Sequence, residues 1–270
     1  MPAPPHAWTT AAASITPCFE ISGADPYVGV AGDFDGMGIS CGALQWNIGK
    51  GSLQPMVQTV GKPTVVAAMP QFGNDMWNVC NTTIGNGLAI VRGWQAGTTL
   101  KAKPKAELRT LMGTPAMRAQ QRARIDAVAQ KAFDRASEWA TGSGKAGPSK
   151  RLFCWFFDLT TQNGGLKGLT PQRVAEFVTM NQPDRVDDLI CDYLVGLKGT
   201  AGHIKDAHNN SGLWRNPSDP EKLEILVMSY LRSEAVLPQW RHVVLNRKGT
   251  IALGTGWVNS EKWNFSEHGL

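Results

Sequence analysis

The 270-residue sequence has no long hydrophobic run. No window contains the roughly 18 consecutive apolar residues that a membrane-spanning helix needs, so membrane insertion is not expected. Residues 1–17, which begin Met-Pro-Ala-Pro-Pro, lack the basic start and apolar stretch of a secretory signal. We therefore expect a folded, water-soluble protein that is made in the cytoplasm without a signal peptide.

Motifs for metal, phosphate and nucleophile chemistry are also missing. The five cysteines form no Cys-x-x-Cys pair, which argues against a zinc ribbon and a dense disulfide scaffold. In an oxidising compartment, Cys18 and Cys41 are the first candidates for a disulfide. Gly-x-Ser-x-Gly and a phosphate-binding loop do not occur, and His203 and His208 have no Cys or Glu nearby at metal-ligand spacing. No cofactor and no metal are expected.

A modest excess of positive charge is present. Lys and Arg total 27 against 22 Asp and Glu, a net charge of +5, which favours an anionic partner or serves solubility. The basic stretch Arg118–Arg135 is interrupted by Asp126 and Asp134. This pattern is typical of a solvated helix face, so no nucleic-acid partner is expected.

Proline and glycine divide the first hundred residues. We expect residues 1–7 to be a flexible Pro-rich tail and residues 8–20 to form a helix ending near Glu20. Eight glycines in residues 23–51 suit tight turns and a small hairpin. Residues 62–99 are expected to form short helices and loops.

The remaining sequence predicts mainly helices. Thr114-Pro115 opens the strongest one, with apolar residues at helical spacing until Gly142. Three further helices are expected to open with similar capping chemistry at Thr170-Pro171, Asn181 to Asp184 and Ser218 to Pro220. Residues 243–258, with β-prone runs around Lys248-Gly249, predict a hairpin. The predicted class is mainly α (α+β), in a single domain over residues 1–270.

Two groups of carboxylates have the surroundings that glycoside hydrolysis needs. Such hydrolysis uses one protonated acid and one ionised carboxylate, kept apart in pKa by their environments. Glu20 lies among the apolar residues of Cys18-Phe19-Glu20-Ile21, which would raise its pKa if the site is buried. Asp33 and Asp35 lie on a polar, Gly-flanked turn, so Glu20 is the candidate acid and either aspartate is the candidate base.

Each carboxylate also has an ordinary interpretation. An isolated glutamate is usually a surface residue, and Asp33 and Asp35 fit ordinary turn chemistry. A calcium loop is disfavoured because no glutamate ligand follows in Met37 to Asn47.

The order of these elements resembles the lysozyme-like superfamily. Gly42-Ala43-Leu44-Gln45-Trp46-Asn47 is similar to the Gly-x-x-Gln segment that follows the catalytic glutamate in lysozymes and lytic transglycosylases. The run from Gly32 to Gly38 and the turn Gly49-Lys50-Gly51 look closest to family 46 chitosanases. The resemblance implies a two-lobed fold with the hairpin at its cleft. The long helix 114–141 is a candidate to join the two lobes.

The same resemblance implies roles for individual residues. It assigns Glu20 as the acid and Asp33 as the base of an inverting mechanism, and the extra Phe34-Asp35 leaves Asp35 open as the base. Phe157-Asp158 looks like a segment of the chitosanase second lobe, which makes Asp158 a candidate substrate-binding residue. The tail around Arg247-Lys248 is similar to bacterial cell-wall hydrolases.

Three residues after the hairpin are further candidates for substrate binding. Trp46 could stack on a sugar ring, and Gln45 and Asn47 could supply amide hydrogen bonds to it. The alternatives are core packing for Trp46 and turn stabilisation for Gln45 and Asn47.

The sequence thus predicts a peptidoglycan hydrolase that cleaves β-1,4 glycosidic bonds. A chitosanase or chitinase, a lytic transglycosylase and an inert glycan-binding module are the alternatives. The expected partners are peptidoglycan glycan strands, and a cognate immunity protein or secretion-apparatus component is a further candidate. The protein is expected to act in the periplasm or cell wall after export, injection or lysis, as an antibacterial effector or a lysin.

Overall fold

The computed structural model describes residues 2–19 and 25–270. Helices hold 64% of the residues and strands 7%, so the predicted mainly α class with small sheets is confirmed. The chain divides into two compact units. The Asp33 unit is Thr16–Ala127, and the Asp158 unit is Met1–Ile15 together with Val128–Leu270. The unit boundaries fall inside two helices, α1 (His6–Cys18) and α7 (Pro115–Gly142).

The Asp33 unit combines short helices with small sheets. Its helices are α2 (Gln54–Val60), α3 (Lys62–Ala68), α4 (Gly73–Cys80), α5 (Ile84–Gly93) and α6 (Ala102–Gly113). An antiparallel sheet has the order β1 (Val30–Ala31), β2 (Ser40–Cys41), β3 (Trp46–Asn47), and a hairpin pairs β4 (Gln95–Ala96) with β5 (Thr99–Leu100). The predicted Gly-rich turns and short helices are confirmed.

The Asp158 unit is built mainly from helices. They are α8 (Lys150–Asp158), continued by a π-helical turn Leu159–Asn163, then α9 (Pro171–Met180), α10 (Val186–Val195), α11 (Gly202–Leu213), α12 (Pro220–Ser233) and α13 (Arg241–Leu253). A final hairpin pairs β6 (Thr255–Val258) with β7 (Glu261–Asn264). Its core includes Leu152 to Phe157, all buried, and the Trp155 indole donates to Ser229 Oγ at 2.9 Å.

Two of the predicted helix starts follow the capping chemistry of the sequence, whereas α10 begins at Val186 without a capping side chain. Thr114 Oγ1 accepts a hydrogen bond from the Met117 amide at 3.2 Å, and Thr170 Oγ1 accepts one from the Arg173 amide at 3.2 Å. In both cases a proline follows at the first helical position, where its missing N–H costs nothing. α1 begins at His6, inside the segment predicted as tail, and Pro17 lies in its last turn.

The predicted hairpin around Lys248-Gly249 is wrong. Residues 241–253 form α13, and the hairpin lies further along, where Asn259 and Ser260 have φ of +56° and +67°. Positive φ at both central residues gives the twist that a two-residue hairpin needs. Gly249 is instead a helical residue, and the buried Trp214 ring packs directly against it. A Cβ at this position would lie only 2.4 Å from that ring.

Gly249 provides a stability test with an internal control. Alanine normally stabilises a helix relative to glycine by about 1 kcal/mol. We expect Gly249→Ala to lower the free energy of unfolding by about 1–3 kcal/mol instead, because its methyl group overpacks against Trp214. Gly212→Ala in α11, where the added Cβ meets nothing within 4 Å, should be neutral or stabilising. Urea unfolding of both variants checks the opposite signs, and a stabilised Gly249→Ala variant would contradict this packing.

The candidate disulfide between Cys18 and Cys41 is not formed. Cys41 is a free thiol on β2 and is fully buried. Burial raises the pKa of Cys41 well above its usual range and raises the pKa of Cys80 to about 12. These thiols are packing residues, protonated at neutral pH.

Among residues 2–19 and 25–270, no helix is both long and apolar enough to cross a membrane.

Candidate active site

The predicted acid, Glu20, lies outside the described residues, which resume at Asp25. The chain reaches it from α1, which ends at Cys18, and the following Phe19 is 2% exposed. In the sequence, Glu20 therefore directly follows a buried aromatic residue.

The first candidate base, Asp33, is fixed in the turn between β1 and β2. Its Oδ1 accepts a hydrogen bond from the Gly38 amide at 2.7 Å, and its Oδ2 pairs with Arg92 Nε at 2.7 Å. Its own amide donates to Gln95 Oε1 at 2.8 Å. Three partners, Gly38, Arg92 and Gln95, thus fix Asp33, and its side chain is 11% exposed.

Electrostatics keep Asp33 ionised. Partial burial by itself raises the pKa of this carboxyl. The hydrogen bond and charge of Arg92, with the Gly38 and Gly36 amides, outweigh burial and hold the pKa below the usual 3.8. Asp33 is therefore a carboxylate at any pH near neutrality.

Removal of the Arg92 side chain should shift the ionisation equilibrium of Asp33. We expect Arg92→Gln to raise the pKa of Asp33, because the substitution removes the cation that favours the ionised form. Since a lowered pKa contributes stability only where the group is ionised, wild-type stability from Asp33 is present above about pH 3.8 and falls below it. A carboxyl ¹³C NMR titration measures the shift directly. Arg109→Gln, an exposed arginine on α6, is the matched control, and an unchanged Asp33 titration in Arg92→Gln would contradict the assignment.

The second candidate base, Asp35, lies on the same turn in different surroundings. Its side chain is exposed, and Oδ1 accepts a hydrogen bond from the Met37 amide at 3.1 Å. The structure therefore brings both candidate bases together on one turn, with Asp33 held by a cation and Asp35 open to solvent.

The three predicted substrate-binding residues after the hairpin make local contacts. Gln45 has φ of +53° and its Nε2 donates back to the Gly42 carbonyl at 3.0 Å. Asn47 is 7% exposed, and its Oδ1 accepts from the Lys50 amide at 2.9 Å. Trp46 is 8% exposed on β3. These positions favour turn stabilisation and core packing over substrate contact.

Asp158 belongs to a buried charge cluster. Its Oδ1 accepts from Arg247 Nη2 at 2.7 Å, and its Oδ2 pairs with Lys248 Nζ at 2.5 Å. The side chains of Asp158 and Lys248 are both 0% exposed. An aspartate with no exposed surface is not placed to touch a glycan, so the described position favours a structural role. The two segments that carried the weaker resemblance, around Asp158 and around Arg247, therefore contact each other.

The charge cluster has opposing pKa effects. Burial raises the pKa of Asp158, but the charges and hydrogen bonds of Arg247 and Lys248 outweigh it and lower that pKa to about 2. For Lys248, burial is the larger effect and lowers the pKa to about 8 despite Asp158. At pH 7 both cations and the carboxylate are charged.

Sequence reasoning missed the residues that support the turn from a distance. Arg92 and Gln95 fix Asp33, and the fully buried Gln121 accepts from the Ala43 amide at 3.1 Å through its Oε1. Gly42 is required there, because a Cβ would lie 2.4 Å from Gln121 Oε1 and its φ is +76°. No sequence signal marks these partners, since each lies more than fifty residues away.

In the part of the chain that the structure describes, no group of three or more His, Cys, Asp or Glu side chains is arranged to hold a metal ion. Comparison of the chain with protein-family models, with curated proteins and with solved structures finds no match.

Proposed function

We propose that the protein is a glycoside hydrolase that cleaves the β-1,4-linked amino-sugar strands of peptidoglycan. Glu20 acts as the general acid, and Asp33 activates water in an inverting mechanism. The finer architecture belongs to the same proposal, with the Asp33 unit and the Asp158 unit as the two lobes of a lysozyme-like fold. The enzyme would act in the periplasm or cell wall, as an antibacterial effector or a lysin.

One observation supports this proposal most. Asp33 is held ionised by Arg92 and the Gly38 amide, on a turn of the small sheet that follows the helix leading to Glu20. Glycoside hydrolysis needs a carboxylate that stays ionised beside an acid that stays protonated. Asp33 has the environment of the ionised partner. Glu20, which follows the buried Phe19 in the sequence, is the proposed protonated acid.

Single substitutions distinguish the two candidate bases. Asp33→Asn and Asp35→Asn each remove a negative charge and keep the size of the side chain. If Asp33 is the base, Asp33→Asn lowers turnover by about a hundredfold or more, and Asp35→Asn lowers it by much less. The reverse order would assign Asp35. Because Asp33 also stabilises the turn, a thermal unfolding curve is needed for each variant.

The substrate assay uses the wild-type protein with purified sacculi and, separately, with chitosan. New reducing ends from sacculi are the expected result. Reducing ends from chitosan alone would assign a chitosanase, and the net charge of +5 argues against a cleft for that polycation. Anhydro ends would establish a lytic transglycosylase. Binding to sacculi without any cleavage would identify a glycan-binding module and overturn the proposed activity.

A further inference from the structure

Among the residues of the Asp33 unit that the structure describes, Phe34 is the most exposed large apolar side chain, and it lies between the two candidate bases. Its side chain is 72% exposed, against 46% for Ile84 in the same unit. A single exposed apolar residue is normal on a protein surface, so exposure alone carries no inference. The turn that presents this ring supplies the argument.

The backbone on both sides of Phe34 is fixed. Arg92 joins the two ends of the turn, because it pairs with Asp33 and also donates from Nη2 to the Gly36 carbonyl at 3.3 Å. After the ring, the Met37 amide donates to Asp35 Oδ1, and the Met37 carbonyl accepts from the Gly49 amide at 3.0 Å. The ring is therefore displayed by an ordered turn, so little backbone entropy is lost when it binds a ligand.

The neighbours of the ring indicate the chemistry of that ligand. A pyranose presents an apolar C–H face, which packs on an aromatic plate, and a rim of hydroxyl groups, which donate to carboxylates. Phe34 offers the plate, and the exposed Asp35 offers acceptor oxygens one residue away. The same carboxylate disfavours an apolar protein face, because contact with such a face would bury its charge.

We propose that Phe34 is a stacking platform for one pyranose ring of the glycan strand, in a subsite beside Asp33. This inference rests on the proposed function for the identity of the polymer. It assigns sugar contact to Phe34, in place of the buried Trp46, and it places that contact on the same turn as the candidate bases.

The test measures turnover of sacculi and, at 4 °C, cosedimentation of the protein with sacculi. Phe34→Ala should raise KM and weaken cosedimentation by about tenfold, and kcat should stay within about threefold, because stacking contributes mainly to uniform binding. Phe34→Trp should restore binding, since it supplies a larger aromatic plate. Ile84→Ala is the matched control for loss of exposed apolar surface, and it should leave both readouts unchanged.

The outcomes separate this inference from the proposed function. If the wild type cleaves sacculi and Phe34→Ala has an unchanged KM and unchanged cosedimentation, the subsite is overturned. The proposed hydrolase activity is then still supported. Cosedimentation that depends on Phe34 without any cleavage would support the subsite and overturn the hydrolase. A wild-type protein that neither cleaves nor cosediments would overturn both. If Phe34→Ala weakens cosedimentation and Phe34→Trp weakens it equally, the stacking role would also be overturned.

Discussion

Glu20→Gln is expected to release new reducing ends from sacculi at least about a hundredfold more slowly than the wild-type chain. Glutamine keeps the shape of the side chain and can still form hydrogen bonds, but it has no acidic proton to transfer to the departing glycosidic oxygen. General acid catalysis typically contributes about a hundredfold to ten-thousandfold, which sets the size of the loss. Binding should survive, because the substitution removes the proton donor and leaves the turn at Asp33 and Phe34 intact.

Glu261→Gln is the control for this experiment. Glu261 is an exposed glutamate on β7, so the same chemical change there should leave both turnover and binding unchanged. Cosedimentation with sacculi separates loss of chemistry from loss of binding, and circular dichroism checks folding. A loss of only a few-fold in turnover would remove Glu20 from the acid role. If Glu20→Gln keeps the full antibacterial effect of the wild type, an inert binding module would be favoured.

Asp158→Asn is expected to cost about 3–5 kcal/mol in the free energy of unfolding. The substitution leaves two cations, Arg247 and the fully buried Lys248, without the carboxylate that they share. Removing one partner of a buried pair leaves an uncompensated charge, which is far more costly than losing a surface ion pair. Urea unfolding followed by tryptophan fluorescence measures the difference.

Two companion variants show that burial sets this cost. Asp192→Asn removes an aspartate that also pairs with an arginine, Arg215, but is 70% exposed, so it should cost at most about 1 kcal/mol. Lys248→Met removes the buried cation and leaves Asp158 paired with Arg247, so it should cost much less than Asp158→Asn. Equal costs for Asp158→Asn and Asp192→Asn would contradict the structural role of the cluster.

The charge cluster also has a pH signature. The lowered pKa of Asp158 means that its ionisation contributes stability above about pH 3.8, and this contribution is lost as the pH falls toward about 2. Asp158→Asn should therefore flatten the dependence of stability on pH across this window. An undiminished slope would show that other carboxylates cause the acid sensitivity.

Most of the helices could be predicted because their signals are local. Thr114-Pro115 and Thr170-Pro171 each combine a capping hydroxyl with a proline, and both start helices where expected. The sequence predicts the C-terminal hairpin at the wrong position, because a glycine such as Gly249 fits a turn and a helix equally well by local pattern. In the structure, Gly249 lies in α13 against the Trp214 ring, which comes thirty-five residues earlier in the sequence.

The candidate site also has features that the sequence predicts and features that it does not. The Gly-rich run from Gly32 to Gly38 marks a turn with two carboxylates, and the structure places both there. The ion pair between Arg92 and Asp33 could not be predicted from the sequence, because no sequence pattern links this arginine to that aspartate. The sequence predicts Asp158 as a substrate-binding residue, yet its two oxygens pair with Arg247 and Lys248.

The sequence by itself determined the mainly helical class, the capped helix starts and the Asp-rich turn that follows Glu20. These features depend on residues a few positions apart, so their physics is already contained in short segments. Only the tertiary structure decided that Arg92 holds Asp33 ionised, that Trp46 is buried while Phe34 is exposed, and that Asp158 belongs to a buried ion cluster. Burial and charge pairing depend on residues distant in sequence, and they become defined only when the chain has packed.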